Sequence, residues 1–558
     1  MEKRTIFAFV LSFLVLLAWS FFFSPREEQP QKQEPAVTQK EENTRKAPVK
    51  APESPAPRPV EPPSKESPAP AAAPPSAAPK EVFVETPLYL AVFSNEGGTI
   101  TSFKLKRYSV SPEPGSPPVE LISEIGGQRD SMTISFEPAP IKEQKVPVYQ
   151  VSEERIVVER GGSPKELTFR GRTSEGIDVT KTYRFYPDRY PVDLSVTAKN
   201  ESGAKINGHF RASLRNTPPA DKQSYYAFNG IALFKNKDLQ ELEPDDLKDG
   251  QSVSGRIQWV AYETDYFMTA FVPKDAPEAS FHGRKASTGT LLADLTGPAL
   301  LMEPGDQAAM GYTLYLGPRD LSILKEMNVN LDAAIDFGWT DVIAKPLLYA
   351  LRFFQNYVGN YGVAIILLTV VIKILFWPLT HKSYKSMKEM QKIQPLMAKL
   401  REKYKGNREQ MNKEMMALYR TYKVNPMGGC LPMVIQIPVF FALFRILGSA
   451  IELRHAPFLW WINDLSAPDR LFSFPFEIPF MTPPYGIPVL TLFMGASMFI
   501  QQKMTPTPGD ATQAKIMMLM PVIFTVMFIN FPSGLVLYWL VNNILSIGQQ
   551  YRILKKPA

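Results

Sequence analysis

The apolar residues of this 558-residue chain are unevenly spread, and that spread limits what it can fold into. One apolar run fills residues 6–23, and five more follow after about residue 355, near 361–379, 427–447, 487–504, 516–531 and 534–550. Between the first run and the rest, the sequence reads as water-soluble protein. A helix of about 20 apolar residues, at about 1.5 Å each, crosses about 30 Å of hydrocarbon. Six such runs predict a polytopic α-helical membrane protein that carries one large soluble domain.

Composition excludes several classes. A net charge of +7 is small for this length and gives no reason to expect DNA as a partner. The single cysteine, Cys430, rules out an intramolecular disulfide and a zinc site built from several cysteines. The four histidines, His209, His282, His381 and His455, form no HExxH-like pair. No Walker A sequence or glycine-rich phosphate loop occurs. The expectation is no metal, no cofactor and no enzyme.

Residues 1–23 read as an uncleaved signal anchor. Lys3 and Arg4 form a positive flank that keeps the N-terminus cytoplasmic, and the run ends in Phe21, Phe22 and Phe23 without a small-residue cleavage site. Residues 24–80 are rich in Pro and Ala and form a tether in the periplasm, with a polyproline II tendency. Residues 81–330 alternate apolar and polar in short segments such as 81–85, 89–93, 100–105, 177–185 and 192–199, with turns at 95–98 and 186–188. That pattern predicts a β-sandwich. Residues 331–358 predict an amphipathic helix on the periplasmic membrane face, broken at Pro346.

Residues 359–552 hold the five remaining spans. The 381–423 loop carries twelve Lys and Arg against four Glu, whereas 451–483 carries only Arg454 and Arg470 against four acids. The positive-inside rule puts the first loop in the cytoplasm and the second outside. The 553–558 tail then lies inside, so both termini are cytoplasmic.

Loop 381–423 predicts an αα-hairpin. Pro395 opens its first helix with Leu396, Leu400 and Tyr404 as a stripe. Gly406 and Asn407 turn the chain, and Met411, Met415, Leu418 and Tyr422 make the second stripe. Its basic outer faces suit lipid headgroups, ribosomal RNA or acidic client segments.

Lys373 is the most informative residue, because a charge at mid-membrane costs roughly 2.5–3.5 kcal/mol on insertion scales. It lies eight residues before His381, about 12 Å along a helix, beyond a comfortable snorkelling reach. It is expected to face a wet cavity open to the cytoplasm. Thr369 lies one turn earlier on the same face. Gln436 lies in the third span, and Asn542, Asn543 and Ser546 lie in the last. Tyr538 and Trp539 precede the two asparagines by one turn. Gln436 and Ser546 serve equally well as interhelical glue.

These strings resemble a known family. WPLTHKSYKSM at 377–387, VNPMGGCLPMVIQIPVF at 424–440, QKMTP at 502–506 and FPSGLVLYW at 531–539 are similar, in this order, to the YidC/Oxa-type insertases. The anchor and exported domain resemble the branch found in bacteria with two membranes. There the exported domain is a β-supersandwich similar to galactose mutarotases, and NEGGTI at 95–100 fits its opening turn.

The resemblance implies a membrane protein insertase and chaperone of the inner membrane, acting alone or beside the Sec translocon on newly made membrane proteins. It implies that the hairpin can meet the ribosome and the signal-recognition receptor. It also implies a cation in a hydrophilic groove open to cytoplasm and lipid. By position that cation is Lys373, where many relatives carry Arg. Thr369 and Tyr538 match client-facing positions, and Trp539 stands where some relatives have Tyr. Two rival classes fit less well. A transporter calls for paired intramembrane charges, and a carbohydrate enzyme calls for paired carboxylates in the β domain.

Overall fold

The computed structural model describes residues 80–558 except 123, 126–127, 130, 139–145, 219–227, 276–277, 423, 425–430, 506–510 and 556–558. The expected anchor at 1–23 and all of the tether except Lys80 lie outside the described residues.

Residues 81–318 form the β domain. Two large sheets face each other, antiparallel throughout except where Glu81–Glu85 pairs with Arg155–Val157 in parallel. One sheet runs outward from that pair through Tyr89–Ser94, Thr99–Ser109, Ser131–Pro138, Ile206–Asn216, Leu291–Thr296 and Glu278–Lys285. The other includes Lys165–Arg172, Ile177–Phe185, Val192–Asn200, Gln307–Pro318, Phe267–Pro273 and Gly230–Lys235. The long strand Gln251–Glu263 belongs to both. Its first half pairs with Glu278–Lys285 and its second half with Gly230–Lys235 and Phe267–Pro273. Gly255, at φ +137°, lies in that strand just before the change of partner, a backbone geometry that glycine tolerates.

The two-residue strand period explains the core. In Ile177–Phe185, residues Ile177, Val179, Lys181, Tyr183 and Phe185 all point inward. They meet Phe93 and Phe169, with the Phe93 and Tyr183 rings edge-to-face at 4.9 Å. Lys181 shares that parity and is therefore buried. Its ammonium donates to the Gly97 carbonyl at 2.6 Å and lies 5.3 Å from the centre of the Tyr149 ring. Tyr183 donates to the next carbonyl, Gly98, at 2.8 Å. Gly97 and Gly98 sit at φ +74° and +56°, so the turn reaches these donors only through left-handed backbone.

The helical part begins with α1 (Leu321–Glu326), capped by Asp320, which accepts from the Ser322 and Ile323 amides. Two 3₁₀ turns lead to α2 (Asp341–Val358), which ends at Gly359 in the left-handed region. Pro346 was expected to break this helix and does not. It lies in the second turn and costs one bond, to the carbonyl of Val342, itself 85% exposed. Ala344, Leu348 and Leu351 pack inward, while Tyr349, Phe353 and Tyr357 are exposed on the outer side.

Helix α3 (Tyr361–Lys403) is the long one, capped by Asn360, which accepts from the Val363 amide at 3.0 Å. Its 43 residues extend about 65 Å, twice the hydrocarbon thickness. Here the expectation needs correcting, because Pro395 does not open a new helix. The apolar run at 361–379 and the first hairpin arm are one helix, and an exposed Pro395 rides on its outer side. The helix continues because Met390, Ile393 and Met397 pack on both sides of that position against Met415, Leu418 and Tyr419 of α4 (Arg408–Thr421). The hairpin seam is therefore not the expected Leu396–Leu400–Tyr404 stripe. Tyr422, expected on the second stripe, is exposed.

Helices α5 (Leu431–Ser449), α6 (Val489–Met504), α7 (Ala511–Phe528) and α8 (Ser533–Lys555) complete the chain. By length and composition, Tyr361–Lys403 is the helix among the described residues able to cross a membrane, and Val434–Ser449 and Lys515–Phe528 are shorter apolar helices. Exposed apolar residues run along α3, α6 and α7, for example Ile374, Leu375, Phe493, Ile516, Leu519 and Val522. Water alone is a poor solvent for such a belt.

Candidate functional site

The site forms where α3, α5 and α8 meet. On α3, Thr369, Lys373 and Thr380 recur at helical spacing on the face turned to α8. On α8, Tyr538, Asn542, Ser546 and Gln549 do the same in return.

Lys373 is 8% exposed, and its ammonium donates to the Ser546 hydroxyl at 2.5 Å. That hydroxyl in turn donates to the Asn542 carbonyl at 2.7 Å. Among the described residues Lys373 has no carboxylate partner. Beside it lies a small cavity of about 20 Å³, lined by Lys373, Thr380, Gln436 and Asn542 together with Ile372, Phe376, Leu379 and Ile435. A space of that size is enough for one water molecule, and four of its eight lining residues offer polar groups to hold one.

The other expected residues separate into groups. Gln436 on α5 donates to the Tyr538 hydroxyl at 3.1 Å, so these two close one end of the site. Thr369 is buried, and its hydroxyl donates to its own helix, to the Ile365 carbonyl at 2.6 Å. Asn542 lines the cavity. Trp539 and Asn543 face elsewhere. Trp539 belongs to an aromatic cluster, with its ring 4.9 Å from Phe440 and 5.2 Å from Phe528. Asn543 donates to Ser497 at 3.0 Å and ties α8 to α6. Neighbours in sequence on a helix point about 100° apart, so Asn542 and Asn543 cannot share one face.

The sequence reading misses one pair and leaves the role of Ser546 open. Thr380 and Gln549 exchange hydrogen bonds at 3.1 and 2.9 Å at the wall of the cavity that Thr380 lines. Ser546, for which cavity lining and interhelical glue are equally expected, is the direct hydrogen-bond partner of Lys373. Helical spacing carried both signals, since Thr380 follows Lys373 by seven residues and Ser546 follows Asn542 by four.

The family described as "60Kd inner membrane protein" matches residues 353–558, and the "YidC periplasmic domain" matches residues 81–350. A membrane protein insertase YidC of Pelobacter propionicus is 44% identical over 100% of this chain and 99% of its own.

The chain belongs to the YidC family.

Further relatives bearing the same insertase name come from Syntrophus aciditrophicus, 42% identical over the full length of both chains, and Geobacter sulfurreducens, 43% identical over 99% and 98%. The family membership makes this an inner-membrane protein with a β-rich periplasmic domain. Among the described residues no group of three or more His, Cys, Asp or Glu is arranged to hold a metal ion.

Proposed function

We propose that this protein inserts integral membrane proteins into the bacterial inner membrane and helps them fold, alone or with the Sec translocon. The observation that carries the reading is Lys373. It is an intramembrane cation held by a neutral hydroxyl, beside a small cavity that polar and apolar side chains line together, with its charge left uncompensated by any described carboxylate. Full-length relatives named membrane protein insertases support the same reading.

In this proposal the chain crosses the membrane six times, with both termini in the cytoplasm and residues 81–330 in the periplasm. The α3–α4 hairpin receives a short client segment. Its exposed Lys399, Lys403, Lys413 and Arg420 also suit a ribosome, a signal-recognition receptor or anionic headgroups. The polar flank of the client enters a groove around Lys373, Gln436, Asn542 and Tyr538, where the ammonium attracts acidic residues and shortens the polar path. The client's apolar segment then slides along α5 and α7 into lipid. Partitioning of that segment drives the step, at roughly 0.8 kcal/mol per buried CH₂, and no nucleotide is needed.

The test is reconstitution into otherwise protein-free liposomes with a small client bearing an acidic exported tail. Lys373→Glu is expected to abolish most insertion while the protein remains folded and membrane-bound. Unchanged insertion would remove Lys373 from the mechanism.

A further inference from the structure

A half-open cleft of about 340 Å³ lies where the β domain meets the outer ends of the helices. Three parts of the chain build it. Arg107, Tyr108 and Ser109 come from the end of the Thr99–Ser109 strand, Asp320 is the cap of α1, and Glu452 and Arg454 come from the turn that follows α5. Because α5 ends at Ser449, the floor of the cleft lies within a few residues of the helix end. With residues 451–483 outside, that is the height of the outer-leaflet headgroups.

The cleft is lined by charges of both signs, with His455 beside them, 3.8 Å from Asp464. Asp320 and Glu452 share one guanidinium, that of Arg352 on α2, with Arg352 3.2 Å from Asp320 and in direct contact with Glu452. One positive charge set against two carboxylates leaves one negative charge over. The Arg107 side chain, by contrast, has no ion pair or hydrogen bond among the described residues. Arg454 donates to the Val110 carbonyl at 3.2 Å and otherwise lies over the rings of Tyr266 and Phe267. A guanidinium carries five N–H donors, so most of the donors of these two arginines remain free.

A simple anion here would meet the arginines but also the spare carboxylate charge, and a simple cation would meet the reverse. A phosphate linked through two carbons to a primary ammonium satisfies both. We propose that this cleft binds the headgroup of an ethanolamine phospholipid, with the phosphate on Arg107 and Arg454 and the ammonium toward Asp320 and Glu452. The pocket volume is at the lower end of the roughly 300–1,000 Å³ typical of small-ligand sites. A choline headgroup has no N–H to give the carboxylates, and a glycerol headgroup has no positive charge to offer them. The lipid assignment rests on the outward placement of residues 451–483; the recognition chemistry does not.

The experiment is native mass spectrometry of the full chain with phosphatidylethanolamine, phosphatidylcholine and phosphatidylglycerol of identical acyl chains. The wild type is expected to retain one ethanolamine lipid more tightly than either of the others. Arg107→Gln should weaken that binding about tenfold, the scale of one charge-assisted hydrogen bond, and Arg107→Lys should restore part of it. Arg107 is exposed and unpaired, so these variants should fold. Lys373→Glu should leave the lipid bound. Soluble glycerophosphoethanolamine should compete, and inorganic phosphate should compete poorly. Equal retention of the three lipids, or indifference to Arg107→Gln, overturns the proposal. Competition by phosphate as strong as by glycerophosphoethanolamine overturns the ethanolamine part. Binding of the soluble headgroup without retention of the lipid overturns the lipid assignment and points to the membrane placement instead.

Discussion

Lys181 in the β domain and Lys373 in the helical region are both buried, at 1% and 8% exposure, yet their surroundings differ in kind. Lys181 sits among Phe93, Phe169 and Tyr183, pinned to a backbone carbonyl and the face of a tyrosine ring. Burial pushes its ammonium down to about 7. It closes a turn and has nothing else to meet. Lys373 contacts a hydroxyl that can rotate away, beside a small cavity shared with Gln436 and Asn542. The same residue type is a structural pin where the core is sealed, and a candidate contact for clients where polar neighbours leave space.

The sharpest way to break that contrast is to reverse both charges. Lys181→Glu puts an unpaired carboxylate among aromatic rings and is expected to destabilise the β domain by about 3–5 kcal/mol. Hydrogen exchange on the full chain should show the strands around residues 165–200 opening early. Lys373→Glu should leave those strands protected while insertion fails. Matching loss of protection in the two variants would erase the distinction.

Trp539→Ala comes next. It empties the centre of the Phe440–Phe528 cluster, at a cost of about 3–5 kcal/mol typical of such truncations. Insertion and thermal stability in detergent should fall together. Asn542→Leu, on the cavity side, should lower insertion with little loss of stability. If Asn542→Leu instead melted the protein and Trp539→Ala did not, the roles assigned to the two faces of α8 would be exchanged.

The pH dependence of the β domain offers a smaller effect. The folded state lowers the proton affinity of Lys181, from an ordinary 10.5 to about 7. Unfolding takes up a proton between these values, so this contribution to stability rises with pH from about 7 to 10.5. Glu263 is opposite in sign. It is fully buried against Arg319 at 3.0 Å, and burial raises its carboxyl from 4.5 to about 7. Its contribution is fully present below 4.5 and is lost as pH rises through 7. Denaturant titrations should therefore show Lys181→Met gaining on the wild type as pH falls from 10.5 toward 7. Glu263→Gln should gain as pH rises from 4.5 to 7. Slopes of the reverse sign would contradict the burial of these groups.

Least affected should be Thr369→Val. Its hydroxyl is spent on its own helix, so stability should move by less than about 0.6 kcal/mol, the average found for hydrogen bonds between membrane helices. A large loss of insertion at unchanged stability would return Thr369 to the client path.

Much of this protein was determined by its sequence alone. Period-two alternation set the strands, and Glu81–Glu85 and Ile177–Phe185 begin and end where that pattern does. Apolar runs set the positions of α5 to α8, and an isolated lysine within one such run singled out Lys373. These are local signals, carried by spacing and hydrophobicity within a dozen residues. Tertiary contact decided the rest. It carried α3 through Pro395, because packing by Met390, Ile393 and Met397 outweighs one missing backbone bond. It chose Ser546 for Lys373, turned Asn543 toward Ser497, and brought Arg107 into one cleft with Arg454 across nearly 350 residues. Such choices depend on which helix faces meet, and that is fixed only once the chain has closed on itself.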